Sequence, residues 1–345
     1  MIHWRAYSQL LLARSRELSR EPEVVFWVFF FPVLLAVALG IAFRNKPPDK
    51  VDVAVVEHPN AARVVRALNA APPLAAEVIG TEDAARQFRL GKVALVVYPG
   101  QVYSYRYDPN RPDSMLALSL ADAALQKAAG RADPIRIHEQ AVTEPGARYI
   151  DFLIPGLLGL NLMSGGMWGM GFALVDMRVK KLLKRLVATP MRRSDFLLAL
   201  VSSRLILMLV EVILLLLVGR LIFKMVIQGS LGSIIVVATA GSLSFAGIGL
   251  LCASRAQKIE TISGLMNLVM LPMFVLSGIF FSADRFPAAM QPFIRILPLT
   301  ALNDALRSVI LEGASLEAQA LRLLILAAWG AVSFLLALRL FRWVN

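Results

Sequence analysis

The sequence predicts an α-helical polytopic membrane protein of six transmembrane helices, with a small extracytoplasmic α/β domain inserted after the first. Three observations carry this expectation. Of 345 residues, 57% are hydrophobic and only 17% charged, too apolar for an ordinary soluble domain. The apolar residues gather into blocks long enough to cross a hydrocarbon core roughly 30 Å thick, which takes about 20 helical residues. Much of the +12 net charge sits in alternate short loops, where it orients a chain in a bilayer; a nucleic-acid patch is the weaker reading of that charge.

Six blocks qualify as spans: 24–43, 152–175, 196–218, 229–254, 261–283 and 320–341, together 40% of the chain. Four contain no charged residue, while the sixth carries Arg322 and Arg339 near its ends, where long side chains reach water. With the N-terminus inside, the cytoplasmic pieces hold fifteen Lys and Arg and the two short outer loops hold five, which favours both termini in the cytoplasm. Residues 1–23 set Trp4, Tyr7, Leu10, Leu11 and Leu18 among Arg5, Arg14, Arg16 and Arg20 at near-helical spacing. That pattern predicts an amphipathic helix in the cytoplasmic interface. It is not read as a cleavable signal, because the apolar run begins only at Val24 and is too long.

Residues 44–149 have ordinary soluble composition, fourteen basic side chains against twelve acidic. Apolar runs predict strands over 51–57, 74–79, 93–98 and 102–107, and helices over 60–71, 81–90 and 113–129. Thr81 and Asp113 are good N-cap types. Strand and helix alternate, so a largely parallel sheet is expected. The segment carries no catalytic constellation: Val56, Glu57, His58 and Pro59 stand where a glycine fingerprint would be, and His58 and His138 lack partners at metal-ligand spacing. The single cysteine, Cys252, excludes an intrachain disulfide and a thiolate metal cluster, and no metal site is expected.

Two later stretches carry the functional signal. Residues 176–195 hold seven basic side chains against two acidic ones. Within them Leu182, Leu183, Leu186 and Val187 share a helical face, Lys180, Lys181, Lys184 and Arg185 fill the other, and Pro190 ends the pattern. On its own this helix could simply adhere to the inner leaflet. After the fifth span, 284–312 is moderately apolar but broken by Pro287, Pro292 and Pro298, so it is expected as two short re-entrant helices in the outer leaflet.

These features resemble the transmembrane subunit of ATP-binding-cassette (ABC) exporters of the type-2 permease class, in the subgroup with a large extracytoplasmic domain after the first span. The residues that carry the resemblance are Leu186, Val187, Ala188, Thr189 and Pro190, then Ser277 and Gly278, then Pro298, Leu299 and Thr300, and Asp304, Ala305, Leu306 and Arg307. The resemblance implies that 176–195 forms a coupling helix docking on a separate ATPase through Lys184, Arg185, Leu186, Thr189 and Pro190. It places Pro298, Asp304 and Arg307 in the re-entrant motif. It also implies a homo- or heterodimer of permeases in a bacterial inner membrane, with export partners in the periplasm or outer membrane as a further expectation. The chain departs from the family pattern at Arg178, Val179, Lys180 and Lys181, where an acidic residue and a Gly-Thr pair are usual. The only Gly-Lys pair, Gly91-Lys92, is not in a P-loop, so no cofactor is expected on this chain and ATP with Mg2+ belongs to the partner.

Family architecture implies a path lined by the second and fifth spans. These carry Asn161, Met163, Met167 and Met170, and Met266, Asn267, Met270, Met273 and Phe274, which either suit an amphipathic drug, lipid or peptide or simply pack. Gly165 and Gly169 allow a dimer seam or internal packing. Arg204 and Glu211 are intramembrane anomalies on one helical face, about 10.5 Å apart along the axis. At that rise a close direct pair is not expected, so other helices or trapped water are expected to satisfy them, in either a structural or a functional role. An ATP-independent transporter or channel, and a membrane sensor with an outer domain, are the competing classes. An enzyme is disfavoured, since neither a zinc-protease helix motif nor a triad appears.

Overall fold

The structure, a computed structural model, describes residues 7–9, 11–12, 22–42, 50–132, 148–187 and 193–340. The chain divides into two compact units, Asn45–Val142 and the pair of segments Met1–Arg44 and Thr143–Asn345. The expected interface helix over 1–23 falls mostly outside the described residues, although 7–9 and 11–12 are helical and the Tyr7 hydroxyl donates to Ser202 at 2.8 Å. Helix α1 covers 22–42 and contains a π-helical turn at Phe26–Phe30. Its apolar part, Phe26–Ala42, is shorter than the later spans.

The inserted unit runs β1 (Val51–Val56), α2 (Ala61–Asn69), β2 (Leu74–Ile79), α3 (Thr81–Arg89), β3 (Leu95–Tyr98), β4 (Ser104–Arg106) and α4 (Pro112–Ala128). The sheet order is β2-β1-β3-β4, parallel across the first three strands and antiparallel at β4. The crossovers through α2 and α3 run in opposite directions across the sheet, so equal right-handedness puts those helices on opposite faces. The core divides accordingly. Val53 and Val55 meet Val64 and Leu68 of α2 and Ala117 and Ala121 of α4, while Ala54 and Val56 meet Ala84 of α3. Burial on both faces is why β1 reads as an unbroken apolar run.

The cap expectations shift by one or two residues. Gly80 is the N-cap of α3, which leaves Thr81 inside the helix. Arg111 is the N-cap of α4, because Pro112 suits the first helical position. Asp113 then lies in the first turn, where Arg111 donates to it and holds its carboxyl below the ordinary carboxylate range.

In the other unit, α5 (Tyr149–Val179) contains a π-helical turn at Trp168–Phe172. It is followed by α6 (Leu182–Val187), α7 (Arg193–Ile222), α8 (Leu231–Ala253), α9 (Ile259–Leu276), α10 (Gln291–Ile296), α11 (Pro298–Glu312) and α12 (Ala320–Leu340). Among the described residues, five stretches, Tyr149–Val179, Leu198–Ile222, Leu231–Ala253, Ile259–Leu276 and Glu317–Leu340, are long and apolar enough to cross a membrane. Helix α8 is the hub, packed against α5, α7, α11 and α12. Its glycines make that possible: the Gly249 position lies against the Met167 backbone, Gly247 against Gly330, and Gly241 against Leu302.

The helix expected over 261–283 stops at Leu276. Ser277 leaves helical geometry and Gly278 takes φ +69°, so Ile279 to Phe281 keep their apolar character without continuing the helix. Beyond them, 3-10 turns at Ala283–Arg285 and Ala288–Met290 lead into α10 and α11. Helix α11 is longer and more enclosed than a shallow re-entrant turn, with Leu299, Leu302, Asn303, Leu306 and Ile310 all buried.

Candidate functional site

The basic segment is not one continuous helix. Helix α5 ends at Val179, and Lys181 takes φ +57°, a left-handed conformation unusual outside glycine. Lys180 and Lys181 therefore stand at a turn, with Lys180 paired to Asp176 at 2.8 Å. Helix α6 carries Lys184 and Arg185 exposed and Leu183 buried. Thr189 and Pro190 lie outside the described residues, and Leu186 is described by backbone alone.

Arg178 fixes this turn to the bundle. Its Nη1 donates to the Ala253 carbonyl at 2.9 Å and to the Ala256 carbonyl, so a cation caps the carbonyl end of α8. In the sequence Arg178 stands out only as loop charge and as a departure from the pattern of the resembled family. Nothing in the linear sequence marks the meeting of residues 75 positions apart.

Arg204 and Glu211 form a direct bidentate pair, Nη1 to Oε1 at 2.5 Å and Nη2 to Oε2 at 2.9 Å, which corrects the expectation of separate partners. The axial rise separates the two backbones, but the long Arg side chain runs along the helix and closes the gap. Both residues are buried, and Arg204 Nε has no hydrogen-bond partner among the described residues. Gly165 of α5 provides the slot, since a Cβ there would overlap the guanidinium, and Gly169 lies against the Arg204 stem. Both contacts lie within the chain.

The residues suggested for a path divide by exposure. Met163, Met167, Met170, Met266 and Met273 are buried in the core. Asn161 and Met270 are half-buried, and Asn267 and Phe274 are exposed. In the re-entrant motif, Pro298 opens α11. Arg307 lies 3.8 Å from Asp304, stacks 3.7 Å over the Phe152 ring and donates to the Phe152 carbonyl at 3.3 Å.

Long apolar helices packed around a glycine-rich hub define a multi-pass membrane protein. The chain belongs to the ABC-2 transporter family, because the model described as "ABC-2 family transporter protein" matches residues 22–339. It is similar to ABC transporter G family member 20 of Dictyostelium discoideum, 28% identical over 208 residues covering 59% of this chain and 28% of that protein. It is also similar to Nodulation protein J of Rhizobium meliloti (strain 1021), 34% identical over 107 residues covering 31% of this chain and 40% of that one. The chain thus spans well under half the length of these relatives. Membrane subunits of the family partner with ATP-binding subunits and are not themselves ATPases.

Proposed function

We propose that this chain is the membrane-spanning subunit of an ABC exporter, working as a dimer whose separate ATPase subunits dock on α6 and drive export of an amphipathic drug, lipid or peptide. In this reading six helices cross a bacterial inner membrane, both termini are cytoplasmic and the inserted α/β unit lies outside. One observation carries the reading. Lys184 and Arg185 project from a short helix whose approach is tied by Arg178 to the end of α8, so a push on α6 reaches the bundle.

Leu186, Thr189 and Pro190 complete the docking surface, and ATP with Mg2+ binds the partner. The path runs along α5 and α9. Asn161, Asn267, Met270 and Phe274 face it, and the buried methionines give it a deformable backing. An amide exposed on an apolar helix, as at Asn267, is better placed against a second subunit or a substrate than against lipid.

The test is co-purification. A tagged chain drawn from its native membrane brings an ABC ATPase with it, and Lys184→Glu with Arg185→Glu loses the ATPase while eluting as a single species. An ATPase retained by that variant refutes docking on α6. Movement of substrate by the chain alone, without ATP, refutes the exporter reading.

A further inference from the structure

Past Leu276 the chain has no regular structure until the 3-10 turn at Ala283–Arg285, yet Ser277 and Ile279 are buried. Carbonyls in such a segment need partners, since an unpaired one in a bundle interior is costly. Three side chains supply them. Asn303 Nδ2 donates to the Ser277 carbonyl at 2.9 Å, Arg307 Nη2 donates to the Gly278 carbonyl, and the Tyr149 hydroxyl donates to the Phe280 carbonyl at 2.9 Å.

The donors come from two elements. Asn303 and Arg307 lie one turn apart on α11, and Tyr149 is the first residue of α5. The seat is shaped for them: a Cβ at Gly159 would collide with the Asn303 amide, and one at Gly156 would crowd both the Ile279 carbonyl and Arg307.

A second observation concerns bonds that are not made. Among the described residues, Ser277 Oγ, Thr300 Oγ1 and Asn303 Oδ1 are buried without hydrogen-bond partners. Thr300 and Asn303 are neighbours on α11, and Asn303 already grips Ser277, so all three gather at this junction. Each unmet group lowers the cost of leaving the arrangement. Side-chain bonds to carbonyls also break one at a time, whereas a helical ladder does not.

We propose that Tyr149, Asn303 and Arg307 are positioning residues of an outer latch, which holds the chain after α9 closed against α5 and α11 and must release in the outward-opening step of transport. The transport role rests on the exporter reading above; the latch itself does not.

The experiment labels a reporter thiol in the full chain, with Cys252→Ser and Ile279→Cys, purified into phosphatidylcholine and phosphatidylglycerol nanodiscs and exposed to a membrane-impermeant maleimide. Ile279 is 1% exposed, so labelling is slow while the latch is shut. Arg307→Met should raise the rate about tenfold and Tyr149→Phe or Asn303→Leu about fivefold, from the usual worth of charged and neutral hydrogen bonds. A control thiol from Met208→Cys, buried in α7, should keep its rate. Unchanged labelling at 279 in all three variants overturns the latch, and so does an equal rise at both reporters, which signals general loosening. In the complex with its ATPase, ATP should raise the parent rate at 279, and an unmoved rate overturns the transport role. Failure to retain an ATPase at all removes the exporter reading and leaves the latch rates standing.

Discussion

Replacing Glu211 by Leu strands the Arg204 guanidinium inside the bundle. Two short charge-assisted bonds are lost together, and Arg204 is only 5% exposed with Nε already unpartnered among the described residues. Removing one partner of a buried pair costs about 3–5 kcal/mol. At about 1–2 °C per kcal/mol for a protein of this size, the thermal midpoint falls by about 3–10 °C. The double variant Arg204→Met/Glu211→Leu exchanges the pair for apolar side chains of similar length and should recover most of that loss. The assay is size-exclusion elution of the detergent-solubilised protein after heating, at one heating rate because unfolding of such proteins is irreversible. A Glu211→Leu midpoint within about 2 °C of the parent, or a double variant no more stable than the single, refutes the reasoning.

The same slot predicts that Gly165→Ala costs about 1–3 kcal/mol by overpacking against Arg204, and clearly less in an Arg204→Ala/Glu211→Leu background; equal losses in both backgrounds refute it. In the inserted unit, the Asn69 side chain accepts from the Ala76 amide at 2.6 Å and donates to its carbonyl at 3.2 Å, closing the free edge of β2. Asn69→Ala should therefore speed hydrogen exchange over 74–79 by about fivefold or more, and unchanged exchange there counts against the edge role. The Tyr105 phenol is pushed up to about 12, first by burial and then by Asp122. Its folded value lies above the ordinary value of about 10, so the protonated phenol contributes its full stability below about pH 10 and loses it as pH rises through about 12. The difference in absorbance at 295 nm between the parent and Tyr105→Phe should show that step, and a step near pH 10 refutes it.

What could be read from the sequence was what repeats locally. Strands β1 to β3 and helices α2 to α4 follow from apolar periodicity, which depends only on near neighbours. The long apolar helices follow from composition, but their ends do not. Ile279 and Phe280 are as apolar as the residues before them, and the stop at Leu276 is set by the conformation of Gly278 and by donors that lie 26 and 29 positions later. Arg204 and Glu211 are visible in the sequence as anomalies, but backbone rise is not the distance between their charged groups, because the long Arg side chain closes that gap. The left-handed Lys181 had no signal at all, since lysine offers no preference for that conformation.

Helix α5 connects the two ends of the proposed machine. Its C-terminal end carries Arg178 and the turn into α6, its middle gives Arg204 a slot at Gly165, and its N-terminal end supplies Tyr149, Phe152, Gly156 and Gly159 to the proposed latch. A straight helix would pass any inner displacement outward as a rigid shift. Here the π-helical turn at Trp168–Phe172 lies between the coupling end and the Gly165 slot, and it is held by close contact of Gly171 with Gly249 and Met266. In the exporter reading proposed above, a displacement at α6 would therefore meet this turn, packed on α8, before it reaches the Gly165 slot and the junction held by Tyr149 and Arg307.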